Sequence, residues 1–276
     1  MIYPTLVFPL RQRLFWRRVA QRRKAWAETQ DQDPVTASVG DGVILKLRKD
    51  DALSELLFCR SFEWAEREWL KGVLTTGRVF YDVGAHVGYF ALLAARRNCS
   101  VVAFEATPIT FRRLTENVAV NSGIGEFRAF RVALSDAQGT VPFFVSTAGR
   151  DAWNSLAPPR EEGPIARIEV ETARLDDFVR EHGLPLPDVM KIDVEGWEPR
   201  VLAGAERVLR EKAPILLVEF TRSNLLNAGS SPEALSARLE ELGYRLHVYD
   251  PRRRRLVATA DLGCEHRNIV AIPRSS

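Results

Sequence analysis

"FYDVGAHVGYF", Phe80 to Phe90, is the stretch on which the fold turns. It leaves an apolar strand at Asp82, bends at Gly84 and enters a helix at Gly88. Glycines at such places let the backbone turn sharply and approach a ligand with no Cβ between them. Outward from this stretch, apolar strands alternate with helical segments. RVFYDVG, SVVAFEA, FRAFRVALS, DVMKIDV and PILLVEF read as strands. HVGYFALLAARR, PITFRRLTENVAVNS and EPRVLAGAERVLREK read as the helices between them. This alternation predicts a doubly wound α/β fold, with parallel strands and helices on both faces. Upstream, VILKLR reads as a strand and FEWAEREWLKGVL as a helix. Downstream, SPEALSARLEELG reads as a helix capped by Ser231 or Ser230. YRLHVYD, RRLVATA and RNIVAIP follow as strands, with PRRRR (Pro251–Arg255) as a hairpin turn.

The 276 residues are 46% hydrophobic and 27% charged, values of an ordinary globular protein whose core needs no disulfide or metal staple. Cys59, Cys99 and Cys264 are odd in number and widely spaced, which favours a reducing, cytoplasmic setting and gives no metal signal. Residues 1–34 carry seven basic side chains against three acidic ones, +4, while the rest of the chain stands at −1. The expected division is therefore a basic helical extension and linker over 1–40 and the main domain over 41–276. The apolar run Leu6–Leu10 is broken by Pro9 and precedes the charges, unlike a signal peptide. Arg11 to Ala27 suits a basic helix with Leu14, Phe15, Trp16 and Val19 as its apolar side. Packing on its own domain is the principal reading, and weak contact with a membrane surface or nucleic acid the minor one. Val141 to Pro187 forms an insertion whose loop, including Trp153, is a candidate substrate lid.

The next strand ends in Glu105, 23 residues after Asp82, placed to accept hydrogen bonds from ribose hydroxyls. A dinucleotide and a sulfonium nucleoside both fit that far. The spacing Gly84-x-x-x-Gly88 departs from the dinucleotide fingerprint, and Asp82 would repel a pyrophosphate. It would attract the sulfonium and ammonium of S-adenosylmethionine by roughly 4 kcal/mol before desolvation. This disfavours a nicotinamide oxidoreductase. Ser135 and Asp136 either form a turn or place an acceptor for the adenine amino group. Asn117 and Asn121 read as the end of their helix.

With these motifs in place the chain resembles the FkbM family of S-adenosylmethionine-dependent methyltransferases. FYDVGAHVGYF, AFEATP, LSDAQG, ARLDDFV, MKIDVEGWE, VLAGA, LLVEF and NIVAIP occur in the family's order, over about Phe62 to Pro273. The resemblance implies a Rossmann-like methyltransferase fold: a mostly parallel seven-stranded sheet with an antiparallel terminal strand. It implies O-methylation of a hydroxyl on a sugar, glycan or secondary metabolite. It also implies cofactor contacts from Asp82, Gly84, Glu105 and Asp136, with Gly88 opening the helix. His86 departs from the asparagine common at its place.

A hydroxyl acceptor must lose a proton near the transition state. In VMKIDVEGWEP (Val189–Pro199), Asp193 is the first candidate for base or acceptor-orienting group. Lys191, two residues earlier, shares its face, and Glu195 stands in the turn that Gly196 opens. An ion pair shaping the strand end is the structural alternative for Lys191 and Glu195. No metal is assigned, although Asp193 with Glu195 or Glu219 has the right atoms for one. A nucleic-acid methyltransferase, suggested by the basic N-terminus, is the alternative, disfavoured because DVEG stands where amino-methylating enzymes typically carry an Asn/Asp-Pro-Pro-aromatic sequence.

Overall fold

The computed structural model describes residues 9–29, 31–146, 165–259 and 265–274. The chain opens with helix α1 (Pro9–Ala27), strands β1 (Val35–Gly40) and β2 (Val43–Leu47), and helices α2 (Ala52–Cys59) and α3 (Trp64–Val73). Then come β3 (Val79–Val83), α4 (Tyr89–Ala95), β4 (Ser100–Phe104), α5 (Pro108–Ala119) and β5 (Phe127–Phe130). Next come β6 (Ala133–Leu134), β7 (Gly139–Ser146), β8 (Ile165–Ala173) and α6 (Leu175–His182). The second half contains β9 (Val189–Ile192), α7 (Glu198–Gly204), α8 (Glu206–Lys212), β10 (Ile215–Thr221) and α9 (Arg222–Asn227). It finishes with α10 (Pro232–Glu241), β11 (Tyr244–Asp250), β12 (Arg255–Ala258) and β13 (His266–Pro273).

The main sheet has eight strands, ordered β12-β11-β13-β10-β9-β3-β4-β5, rather than the expected seven. β10, β9, β3, β4 and β5 are mutually parallel. β13 is antiparallel to both β10 and β11, and β12 adds a hairpin at the edge. The antiparallel strand is therefore interior, with two more beyond it. FRAFRVALS, read as one strand, is two: β5 ends the main sheet, while β6 joins β8 and β7 in a separate three-stranded sheet. EPRVLAGAERVLREK likewise divides into α7 and α8 at Ala205.

Alternate residues of the parallel strands feed two cores. Phe80, Val101, Ala103, Val189 and Leu217 meet Leu92, Phe90 and Trp69 on one face. Tyr81, Val83, Phe104, Met190, Ile192 and Val218 meet Val201, Leu209, Leu235 and Leu239 on the other. Full burial of a side chain of this kind contributes about 1.5–3 kcal/mol. Both faces being covered explains why these strands read as continuous apolar runs.

The segment read as a linker up to residue 40 contains β1, whose Val35 and Val39 are buried against the first core. α1 also lies on the domain. Val19 and Trp26 turn inward, Arg22 donates to the carbonyls of Phe58 and Ser38, and Arg23 pairs with Glu55 at 2.6 Å. Leu14 and Trp16, expected on its apolar side, face solvent. Asn117 and Asn121 are clamps rather than helix ends. Asn117 Oδ1 accepts from Lys46 N at 2.8 Å, and Asn121 bonds both backbone groups of Ile44, tying β2 to α5. Ser231, not Ser230, caps α10, accepting from Ala234 N at 3.1 Å.

Candidate active site

The parallel strands β3 and β9 place Asp82 directly opposite Lys191. Successive residues of a strand alternate faces, so Asp82, Lys191 and, two residues on, Asp193 share the face covered by α4. The glycine loop and the β9 turn are then in contact. Gly84 has φ +81°, and a Cβ there would sit 1.8 Å from the Asp193 carbonyl oxygen. No side chain fits at Gly84 without moving the neighbouring strand's backbone. Gly88 caps α4 with left-handed φ and faces Leu114, so it shapes the loop from behind.

Asp82 is 1% exposed, and neither carboxylate oxygen makes a hydrogen bond of normal geometry. Burial raises its carboxyl to about 6; Lys191 opposes that rise and Asp193 adds to it. A buried, unpartnered carboxylate costs free energy unless a donor or cation reaches it. S-adenosylmethionine brings both an ammonium and a sulfonium, so this site fits it.

Glu105 is also buried, but its carboxylate is oriented: Oε2 accepts from His86 N at 3.0 Å, and Oε1 from Thr107 N and Oγ1, both at 2.9 Å. Oε2 keeps a second lone pair for a ribose hydroxyl. His86 adopts φ +51°, a conformation asparagine tolerates better, which accounts for the residue common at that place. It does not cap the helix, and both its ring nitrogens are buried without partners.

Asp136 lies off the sheet's parallel rim, after β6. Its carboxylate pairs with Arg200 at 2.9 Å and accepts from Ser135 Oγ at 3.0 Å, while Trp197 Nε1 donates to Ser135 Oγ. A cleft of about 250 Å³ opens beside it, lined in part by Trp197, Arg200 and Gly229. Trp197 thus packs between the second core and a small cluster of Ala133, Phe143 and Val170, and forms the cleft wall.

At the β9 end the charges are already engaged. Lys191 Nζ donates to Asp193 Oδ2 at 2.5 Å and lies 5.1 Å above the Phe90 ring. Burial works against the lysine's charge, but Asp193, Glu63 and Asp82 outweigh it and raise its pKa. Burial would raise Asp193 too, yet Lys191 holds it below the usual carboxylate range. Glu195, at φ +54°, accepts from Asn224 Nδ2, and its own carboxyl is raised by burial and by Glu219. Glu219 Oε1 lies 3.2 Å from His266 Nδ1 on β13, and that contact lifts His266 to about 9. Oxygens of Asp193, Glu195 and Glu219 fall within 4.8 Å of one another.

Gly196 was expected to open the turn for an acceptor. It instead makes room for α9, since a Cβ would meet the Asn224 carbonyl oxygen at 2.4 Å. Glu198 closes the same turn by accepting from Val194 N and Gly196 N at 3.0 and 3.2 Å. Two groups at this rim carry no motif: Glu63 before α3 and His266 on β13. Glu219, near the end of β10, lies in the LLVEF motif. Trp153 and the tip of the candidate lid lie outside the described residues.

Residues 82–246 match the profile of the FkbM methyltransferase domain. A methyltransferase sdnD from Sordaria araneosa is 29% identical over 59% of this chain and 72% of its own length. The hexuronic acid methyltransferase AglP of Haloferax volcanii is 31% identical over 59% of this chain and 62% of its own. The 2-O-methyltransferase NoeI of Sinorhizobium fredii is 32% identical over 53% and 65%. The chain thus spans under two thirds of the length of the last two. A solved FkbM methyltransferase from Methylobacillus flagellatus aligns over 95% of this chain and 59% of that one, at 15% identity and a TM-score of 0.40.

Proposed function

The chain belongs to the FkbM family of S-adenosylmethionine-dependent methyltransferases, and from that premise we propose that it methylates a hydroxyl of a sugar, glycan or secondary metabolite. The observation that carries the cofactor site is Asp82, a buried carboxylate with two unpartnered oxygens at the mouth of the glycine loop. When bound, S-adenosylmethionine supplies a methyl group already activated by its sulfonium, so alignment is the main task left to the protein. Asp82 holds the cofactor's cationic end, Gly84 lets the loop lie against it, Glu105 receives the ribose and Asp136 the adenine amino group. The acceptor class rests on the relatives, of which one is named for a hexuronic acid and another for 2-O-methylation.

On this reading Asp193 orients the acceptor oxygen from the β9 end. Lys191 keeps Asp193 ionised and fixed in place, and Glu195 stands beside it, held by Asn224. Leu14 and Trp16, exposed beside Arg17 and Arg18 on α1, support a weak membrane-surface contact as an accessory to this function. No helix among the described residues is long and apolar enough to cross a membrane.

The test is turnover of a labelled methyl donor over a panel of free sugars, uronic acids, glycans, lipids and small hydroxyl compounds. Asp193→Asn should retain S-adenosylhomocysteine binding and lose at least tenfold in turnover. Full turnover in that variant would remove Asp193 from the site.

A further inference from the structure

Glu63 precedes the residues matched by the family profile and belongs to none of the motifs. It stands at the N-cap of α3 with φ 35° and ψ 51°, yet its side chain caps nothing. A non-glycine residue held in that region is strained, and strain of this kind clusters at functional sites. Its Oε2 is buried and without a hydrogen-bond partner. The neighbouring ring fixes where it lies: Phe62 packs against Tyr89 and Phe90 at 6.3 and 6.2 Å, and Phe90 in turn lies under Lys191. The start of α3 is therefore held beside the Phe90–Lys191 contact, and Glu63 feels the charges of both Lys191 and Asp193.

Each of the other carboxylates there already has a fixed partner: Asp193 is bonded to Lys191, Glu195 to Asn224, Glu198 to two backbone amides and Glu219 to His266, with one oxygen of Glu198 and one of Glu219 left buried and unpartnered. Glu105 is fixed by His86 N and Thr107, and Asp82 faces the cofactor loop. We propose that Glu63 is the proton acceptor for the substrate hydroxyl, with the Lys191–Asp193 pair orienting that hydroxyl toward it. The O–H bond breaks toward Glu63 Oε2 while an oxygen lone pair forms the new O–CH3 bond. The S–CH3 electron pair remains on sulfur as a neutral thioether, and Glu63 afterwards releases its proton to water. This rests on the methyl-transfer reading above.

The charges around Glu63 suit the role. Lys191 and Asp193 face it from β9, Glu219 from β10, His266 from β13, Tyr89 from α4 and Glu66 from its own helix. Burial raises its carboxyl most, Lys191 pulls it down, and Asp193, Glu66 and Glu219 push it back, leaving it at about 8. A base with a pKa near the working pH is the most effective kind.

Two independent measurements test it. In protein labelled with carbon-13 at the glutamate carboxyls and bound to S-adenosylhomocysteine, the resonance missing from Glu63→Gln should titrate above pH 7. The affinity of that variant for S-adenosylhomocysteine should stay within threefold of wild type by calorimetry. A titration in the ordinary glutamate range, or a tenfold loss of affinity, overturns the proposal and makes Glu63 an exposed or cofactor-binding group. With the best acceptor from the hydroxyl panel, Glu63→Gln should lower kcat by about 10²–10⁴-fold and abolish its rise with pH, while Glu63→Asp recovers part of it. A loss under threefold, or one confined to KM, also overturns it. A panel without any acceptor, alongside normal S-adenosylhomocysteine binding, defeats the acceptor class instead; the titration and affinity then decide for Glu63.

Discussion

Two buried aspartates, Asp82 and Asp176, lie in the motifs that mark this chain, and they differ in who satisfies them. Asp176, from the ARLDDFV segment, is 8% exposed and accepts from Arg207 N and Val208 N, both at 2.9 Å. It caps the first turn of α8 from another helix, meeting amides that a helix start leaves unpaired. Asp82 is more deeply buried, and no part of the described chain gives it a well-formed hydrogen bond. The first aspartate is finished when the protein folds; the second is finished only by a ligand. Conspicuous acidic residues in a motif therefore carry two separate duties, and hydrogen-bond satisfaction tells them apart.

That contrast is open to direct attack. The largest effect should come from Asp82→Asn, which keeps the shape and removes the charge. Affinity for S-adenosylmethionine should fall at least 100-fold by calorimetry, with the unfolding temperature unchanged or raised, since an uncompensated buried charge is removed and no well-formed hydrogen bond is lost with it. The pH dependence should agree. With Asp82 at about 6 in the free protein, S-adenosylmethionine binding must ionise it at lower pH, so affinity should fall toward tenfold per unit below pH 6. An affinity flat from pH 5 to 8 would break the comparison.

Asp176→Ala should show the reverse. Two buried amides lose their acceptor, costing about 3 kcal/mol of stability in denaturant unfolding, while S-adenosylhomocysteine affinity stays within twofold. A loss of affinity with normal stability would show that both aspartates serve the ligand. The smallest effect belongs to Asp136→Ala. Its ion pair with Arg200 is substantially exposed, so stability should move by under about 0.5 kcal/mol. Cofactor affinity should drop several-fold, as expected for a contact to adenine alone.

Much of this arrangement is written in local sequence. Strands buried on both faces read as apolar runs, and Asp82, Gly84 and Glu105 sit where a strand meets a turn. The missing pieces depend on distant chain. β1 escaped because its inward positions, Val35, Ala37 and Val39, alternate with Thr36 and Ser38 next to the turn residues Gly40–Gly42, so the short run reads as a polar linker. FRAFRVALS looked continuous because nothing local shows that Ala133 pairs with Thr172 rather than with β4. Asp176 is a cap only once α8 has docked, and Asn117 and Asn121 are clamps only once β2 lies beside α5. Gly196 could be seen to need space, but not that α9 takes it. Glu63 gives no signal at all, since its meaning lies in a left-handed φ and in a neighbour 128 positions along the chain, Lys191.

The interior place of β13 has a consequence for how the protein is made. β10 is translated well before its outer neighbour, and α10 and the β11–β12 hairpin emerge in between. Until β13 arrives, one edge of the growing sheet offers unpaired backbone groups, and β11 has no place beside β10. Closure of the sheet waits for the last strand described, a contact of long sequence separation and hence a slow one. The same strand carries His266 to Glu219. The nascent chain thus builds its cofactor loop early, while the cation opposite Glu219 comes into position in the same event that completes the sheet.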